Sequence, residues 1–98
     1  MSIELTERGY LVLPREIVEE YFPTDSIIAL MRGDELWLLP VKNSASGGLL
    51  MKYRNGRGDR SVFIEEVLSG RQLCGKFPHR WRPEEAALIV DLAASSIS

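Results

Sequence analysis

The sequence predicts a mainly β fold bordering on α+β: a small single domain of about six strands in hairpin-like units with one short helix, closing into a small barrel or a sandwich. Three observations carry that expectation. Short apolar runs alternate with polar residues at a period of two. Glycine-bearing turns, around Gly9, Gly33, Gly56 and Gly58, fall between those runs. Only the stretch behind Pro14 sets its apolar residues at helical spacing. With 98 residues, 45% hydrophobic and 27% charged, the chain can bury one core but not two. Residues 1–98 therefore read as one domain, with a hairpin–helix–hairpin half over 3–41, a loop over 42–48, and a long hairpin plus C-terminal strand over 49–92.

Taken in order, Ile3 and Leu5 alternate with Glu4 and Thr6, and Thr6-Glu7-Arg8-Gly9 turns the chain into Tyr10-Leu11-Val12-Leu13. Pro14 suits the first position of a helix, where its missing N–H costs nothing, and Ile17, Val18 and Tyr21 then share one face. Pro23 ends that helix, which is too short to persist unless a sheet holds its apolar side. Ser26–Met31 and Leu36–Val41 form a second hairpin around Arg32-Gly33-Asp34-Glu35, and both strands are apolar on both faces. Such strands need cover twice, once from the core and once from a partner subunit or client protein. Trp37 and Leu39 are the residues expected at that contact, since a tryptophan commonly anchors an interface. Filling the core is the plain alternative for Trp37.

The stretch Gly47–Leu68 reads as one long hairpin. Leu49, Met51 and Tyr53 alternate on the way out, Val62 and Ile64 on the way back, and Asn55-Gly56-Arg57-Gly58-Asp59 makes the reversal. Its tip would carry Lys52, Arg54, Arg57 and Arg60 outward as a basic patch for an acidic partner surface, with nucleic acid as a lesser alternative and a merely solvated turn as the plain one. Leu73–Pro83 has no clear period and reads as a loop with at most a short strand. Pro83–Ala87 has the composition of a first helical turn while Leu88–Leu92 reads as a strand, no period decides between helix and strand over 84–92, and Ala93–Ser98 reads as a frayed tail. Gly58–Ser69 with Leu88–Leu92 loosely repeats the pattern of Gly9–Tyr21 with Leu36–Val41.

Charge and composition narrow the function. Residues 1–40 carry eight acids against Arg8, Arg15 and Arg32, whereas residues 41–98 carry nine lysines and arginines against six acids. A duplex-binding surface needs several clustered phosphate contacts, and the half with the rhythm of a hairpin–helix–hairpin is the acidic one, so nucleic acid is disfavoured as a partner. No apolar run approaches the ~20 residues of a membrane span, and Met1–Leu5 lacks the features of a secretory signal, so a cytoplasmic protein is expected. The lone Cys74 and lone His79 give no zinc spacing and no nucleophile–base–orienter set. The pairs Glu19-Glu20, Glu65-Glu66 and Glu84-Glu85 are sequence neighbours, which does not bring side chains together. No phosphate-cradling motif is present. No catalytic, cofactor-binding or metal-binding residue is assigned, and the chain is expected to be a non-enzymatic binding protein.

The run Leu36-Trp37-Leu38-Leu39-Pro40, the start Gly47-Gly48-Leu49-Leu50 and the turn Asn55–Val62 with its Gly58-Asp59-Arg60-Ser61-Val62 core resemble small accessory proteins encoded beside nickel-iron hydrogenases, described as hydrogenase maturation proteins. That resemblance, which Trp81 and the apolar Leu88–Leu92 extend toward the C-terminus, covers nearly the whole chain and implies a turn then a strand over 84–92 and a protein client, such as a hydrogenase subunit; it brings no catalytic residues. Residues 3–41 also resemble the swapped-hairpin DNA-binding fold of transition-state regulators and antitoxins, in the rhythm of strand, glycine turn, strand, short helix and hairpin. It implies Arg8, Arg15 and Arg32 as phosphate contacts. That family usually has a basic residue after the turn glycine, where this chain has Tyr10. A homodimer, or a complex with the client, would cover the two-sided strands.

Overall fold

A computed structural model describes residues 2–42 and 48–93. In chain order the elements are β1 (Ile3–Leu5), β2 (Tyr10–Leu13), α1 (Arg15–Tyr21), β3 (Ser26–Arg32), β4 (Glu35–Pro40), β5 (Leu49–Leu50), β6 (Lys52–Tyr53), β7 (Arg60–Phe63), β8 (Gly75–Phe77), β9 (His79–Arg82) and β10 (Ala87–Asp91). The fold is mainly β, as the alternation implies, but the strands are shorter and more numerous than the six expected. They pair antiparallel in two five-stranded sheets, ordered β6-β7-β2-β1-β8 and β5-β3-β4-β10-β9. The arrangement is two sheets around a shared core rather than a closed barrel.

The strand order has an approximate twofold exchange. Swapping β1, β2, β3 and β4 for β6, β7, β9 and β10 reverses the order of those four strands in each sheet. The central pairs are β2 with β7 in the first sheet (Leu11 opposite Val62) and β4 with β10 in the second (Leu38 opposite Leu88). The faint repeat between Gly9–Tyr21 with Leu36–Val41 and Gly58–Ser69 with Leu88–Leu92 marks these equivalent parts. Each half thus contributes one hairpin to each sheet, and neither half has a core of its own.

That shared core takes Ile3, Leu5, Leu11, Leu13, Val62 and Phe77 from the first sheet and Ile27, Leu36, Leu38, Leu88 and Val90 from the second. Burying each such side chain contributes roughly 1.5–3 kcal/mol. Helix α1 adds Ile17 and Val18 to the same core, so tertiary packing holds its seven residues. Pro14 is the residue before the helix rather than its first residue, and its carbonyl accepts from the Ile17 and Val18 amides. Having no capping hydroxyl or carboxylate at Pro14, the helix takes one from the other half: Asp59 Oδ1 accepts from the Arg15 amide at 3.0 Å.

The long hairpin expected over Gly47–Leu68 is corrected. Leu49–Leu50 pair with β3 in the second sheet, Lys52–Tyr53 pair with β7 in the first, and only the latter two strands form a hairpin. Met51 is the corner: its side chain is buried and its amide donates to the Asp25 carbonyl at 2.7 Å. Period-two alternation continues through such a corner, so the pattern could not show the change of sheet. On the return side Ile64–Leu68 curl into a turn in which the Leu68 amide meets the Ile64 carbonyl at 3.1 Å. Leu73–Pro83, expected as a loop with at most a short strand, contains two strands, β8 and β9, bent apart at Pro78 so that each joins a different sheet. Over 84–92, where the sequence leaves helix and strand open, a turn at Pro83–Ala86 leads into a strand. Of the expected 42–48 loop, residues 43–47 lie outside the described residues, as does most of the C-terminal tail. Among the described residues no helix is long and apolar enough to cross a membrane.

Candidate functional site

Antiparallel alternation turns Leu36 and Leu38 of β4 inward and Trp37 and Leu39 outward, which is how one strand is apolar on both sides. Register then sets Leu30 of β3 beside Trp37, Trp37 beside Ile89 of β10, and Ile89 beside Arg80 of β9. Trp37, Ala87 and Ile89, with Leu39 packed against them, form a second, smaller apolar cluster on the outer face of the second sheet. Trp37 is only 6% exposed although, among the described residues, no further sheet lies over it.

Charged side chains hold the ring in place. Trp37 Nε1 donates to Glu35 Oε1 at 3.2 Å, and Arg80 donates to Glu35 Oε2 at 2.8 Å. The hydrogen bonds from Arg80 and then Trp37 hold the Glu35 carboxyl below its ordinary pKa. The guanidinium of Arg32 lies 4.6 Å from the indole centroid and that of Arg82 lies 5.6 Å from it. Arg82 Nε is also 2.8 Å from Glu85 Oε1, close enough for an ion pair but not aligned for a hydrogen bond. Beside this braced tryptophan the face is open: Ile28, Leu30 and Leu50 are 44%, 37% and 56% exposed. Sequence reasoning placed Trp37 and Leu39 here, on strands around Leu30 and Trp37 that needed cover, but did not single out Ile28, Leu50, Arg80 or Arg82, and read Arg32 as a phosphate contact. Two-sided apolarity was the signal for the first two; Arg80 and Arg82 lie in a segment without period.

The four basic candidates of the turn are elsewhere, on β6, β7 and their connection, and they do not form one cluster. Lys52, Arg54 and Arg57 are exposed. Arg54 borders a shallow depression shared with Arg8, Tyr10 and Tyr53, while Arg57 pairs with Asp59 at 3.4 Å. Arg60, expected at the tip, is instead turned back against the body: it donates to Asp25 at 2.7 Å, lies 3.9 Å from the Tyr53 ring centroid, and leaves 13% of its side chain exposed. Asn55 organises the turn, its Oδ1 accepting from the Arg57 amide and its Nδ2 donating to Asp59. The hydrogen bond from Asn55, and then that from the Arg15 amide, lowers the Asp59 pKa.

Of the arginines that would contact phosphate, Arg15 pairs with Glu19 at 3.0 Å and Arg32 lies on Trp37. Cys74 is exposed, and the His79 Nδ1 is buried without a partner among the described residues. Burial lowers the His79 pKa. Among the described residues no group of three or more His, Cys, Asp or Glu is placed to hold a metal ion. What the outer face of the second sheet can do chemically is bury another apolar surface over Ile28, Leu30 and Leu50, beside the already covered Trp37. Comparison with protein-family models, with curated proteins and with solved structures finds no match to this chain.

Proposed function

We propose that this protein is a non-enzymatic accessory factor of the cytoplasm that binds a client protein through the outer face of its second sheet. The observation that carries the reading is the exposed strip Leu50, Ile28 and Leu30 alongside a tryptophan already fixed by Glu35, Arg32 and Arg82. A pre-ordered aromatic beside open apolar surface loses little side-chain entropy on binding, the usual property of an interface hot spot. The whole-chain resemblance supplies the client class: a subunit of a nickel-iron hydrogenase during its assembly. The exposed Lys52, Arg54 and Arg57 would steer an acidic client toward the complex.

The test is affinity capture from cells making hydrogenase, followed by binding kinetics with the captured subunit. Trp37→Ala should raise the dissociation rate, whereas Arg54→Ala or Arg57→Ala should lower the association rate and flatten its salt dependence. Absence of hydrogenase subunits from the capture would remove the assembly role. Duplex DNA binding that weakens steeply with salt would favour a regulator acting through Arg8, Arg15 and Arg32 instead.

A further inference from the structure

The edges of the two sheets are protected unequally. In the first sheet the edge strands β6 and β8 are two and three residues long and each carries a lysine, Lys52 or Lys76. In the second sheet β9 carries Arg80 and Arg82 and is flanked by Pro78 and Pro83. Short length, charge and proline are the common means of keeping an edge from pairing with another chain. The other side of the second sheet lacks them. There β5 covers only Ser26 and Ile27 of β3, so the track beside Ile28–Arg32 has no neighbouring strand among the described residues. Ile28, Ala29, Leu30 and Met31 carry no charge along that track.

Two registers agree on which backbone groups face it. The two-residue turn Gly33-Asp34 makes Arg32 and Glu35 a hydrogen-bonded pair, so Leu30 and Ile28 also bond toward β4. From the other end, the Met51 amide bonds to the Asp25 carbonyl, so Asp25 and Ile27 direct their groups toward β5. By alternation Ala29 and Met31 direct their N–H and C=O groups out of the sheet edge. Among the described residues these four backbone groups have no partner, and they lie along the edge that carries the exposed Ile28 and Leu30 side chains.

We infer, resting on the client-binding reading above, that the client enters by strand addition: an extended segment of another protein, apolar at alternate positions and bearing a carboxylate at one end, pairs with β3 over Ile28–Arg32. Its N–H and C=O groups meet those of Ala29 and Met31, its apolar side chains cover Ile28 and Leu30, and its carboxylate meets Arg32. Arg32 is the complementary charge: its guanidinium lies on the Trp37 ring, and Glu35, the acid across the hairpin, is taken by Arg80 and Trp37. A second copy of this chain fits the track poorly in the register centred on Leu30. Antiparallel pairing of two β3 strands about Leu30 sets the partner's turn, at the residue after Arg32, opposite Ile27, where Leu49 already sits. It would also set Arg32 opposite an isoleucine, with no acid.

The experiment uses the full chain and short linear peptides selected on it from a display library. Selected peptides should alternate apolar residues and carry an acid. Binding should newly protect the Ala29 and Met31 amides from hydrogen exchange, those of Ile28, Leu30 and Arg32 being protected already. N-methylating alternate peptide amides should weaken binding at least roughly tenfold by removing the donors. Ala29→Pro should do the same while leaving the fold intact, because the lost N–H faces away from β4; the exchange and N-methyl results on the unmodified chain stand if that variant fails to fold. Peptides weakened by Leu30→Lys but indifferent to N-methylation, with no new protection, overturn strand addition and leave face docking in place. Failure to select any peptide, or binding indifferent to Leu30→Lys, overturns both. Protection of Ala29 and Met31 in the free chain that tracks a monomer–dimer equilibrium overturns the client segment in favour of a second copy.

Discussion

Replacing Arg60 by alanine separates a structural from a partner-binding role for the basic turn. Its guanidinium donates to Asp25 at 2.7 Å, and a hydrogen bond to a charged group contributes about 1.5–3 kcal/mol when shielded. Asp25 is 63% exposed, so solvent screening lowers that to about 1 kcal/mol. The Tyr53 ring under the guanidinium adds about 0.5–1 kcal/mol, and the mostly covered stem adds packing. Against these stands Arg60 Nε, buried without a partner among the described residues. The sum is a loss near 2 kcal/mol, which at about 4–8 °C per kcal/mol for a domain of this size lowers Tm by roughly 10 °C. Thermal unfolding followed by circular dichroism reads the shift, and a double-mutant cycle with Asp25→Ala should return a coupling of about 1 kcal/mol. If Arg60→Ala melts with the wild type, or the cycle shows no coupling, Arg60 is not bound into the fold as described.

The two hairpin glycines at equivalent positions should respond unequally to alanine. Gly9 has φ +86° and a new Cβ would lie 2.9 Å from Glu65 Cβ, whereas at Gly58, φ +94°, it would meet the Arg15 Cδ at 3.0 Å, a side chain free to move. Gly58→Ala should cost about 1–2 kcal/mol of backbone strain in denaturant titrations, and Gly9→Ala clearly more; equal costs would contradict the packing at Glu65. His79 has its pKa lowered by burial, so its neutral form favours the fold: the contribution is complete above its ordinary value of 6.5 and lost as pH falls through the folded pKa. His79→Gln should flatten stability against pH below 6.5, and an unchanged slope would refute it. Asp59 is also lowered, from 3.8, by Asn55 and the Arg15 amide, so its contribution is present above that pH and lost in acid. Asp59→Asn should lessen the acid sensitivity of unfolding and expose the Arg15 amide to faster hydrogen exchange.

Some of this was determined by the sequence alone. Period-two alternation at Ile3–Leu5, Tyr10–Leu13 and around Val62 is local, and so are the turn residues at Gly9, Gly33 and Gly58; together they specify strands and reversals wherever the chain goes. The spacing of Ile17, Val18 and Tyr21 behind Pro14 likewise specifies the helix. The two-sided apolarity of β3 and β4 was visible as a demand for cover. What covers them is not local. Which strand lies beside which depends on contacts between residues far apart in the chain, such as Leu38 with Leu88 or Leu11 with Val62. Alternation survives the corner at Met51, so the pattern looked like one hairpin where the chain changes sheets. The brief strands β8 and β9 carry almost no pattern because neighbours and Pro78, rather than propensity, set them. Charge placement was equally hidden. A guanidinium reaches several ångströms from its Cα, so only packing decided that Arg60 turns back to Asp25, that Arg80 and Arg82 gather beside Trp37, and that Ile28 and Leu30 stay open.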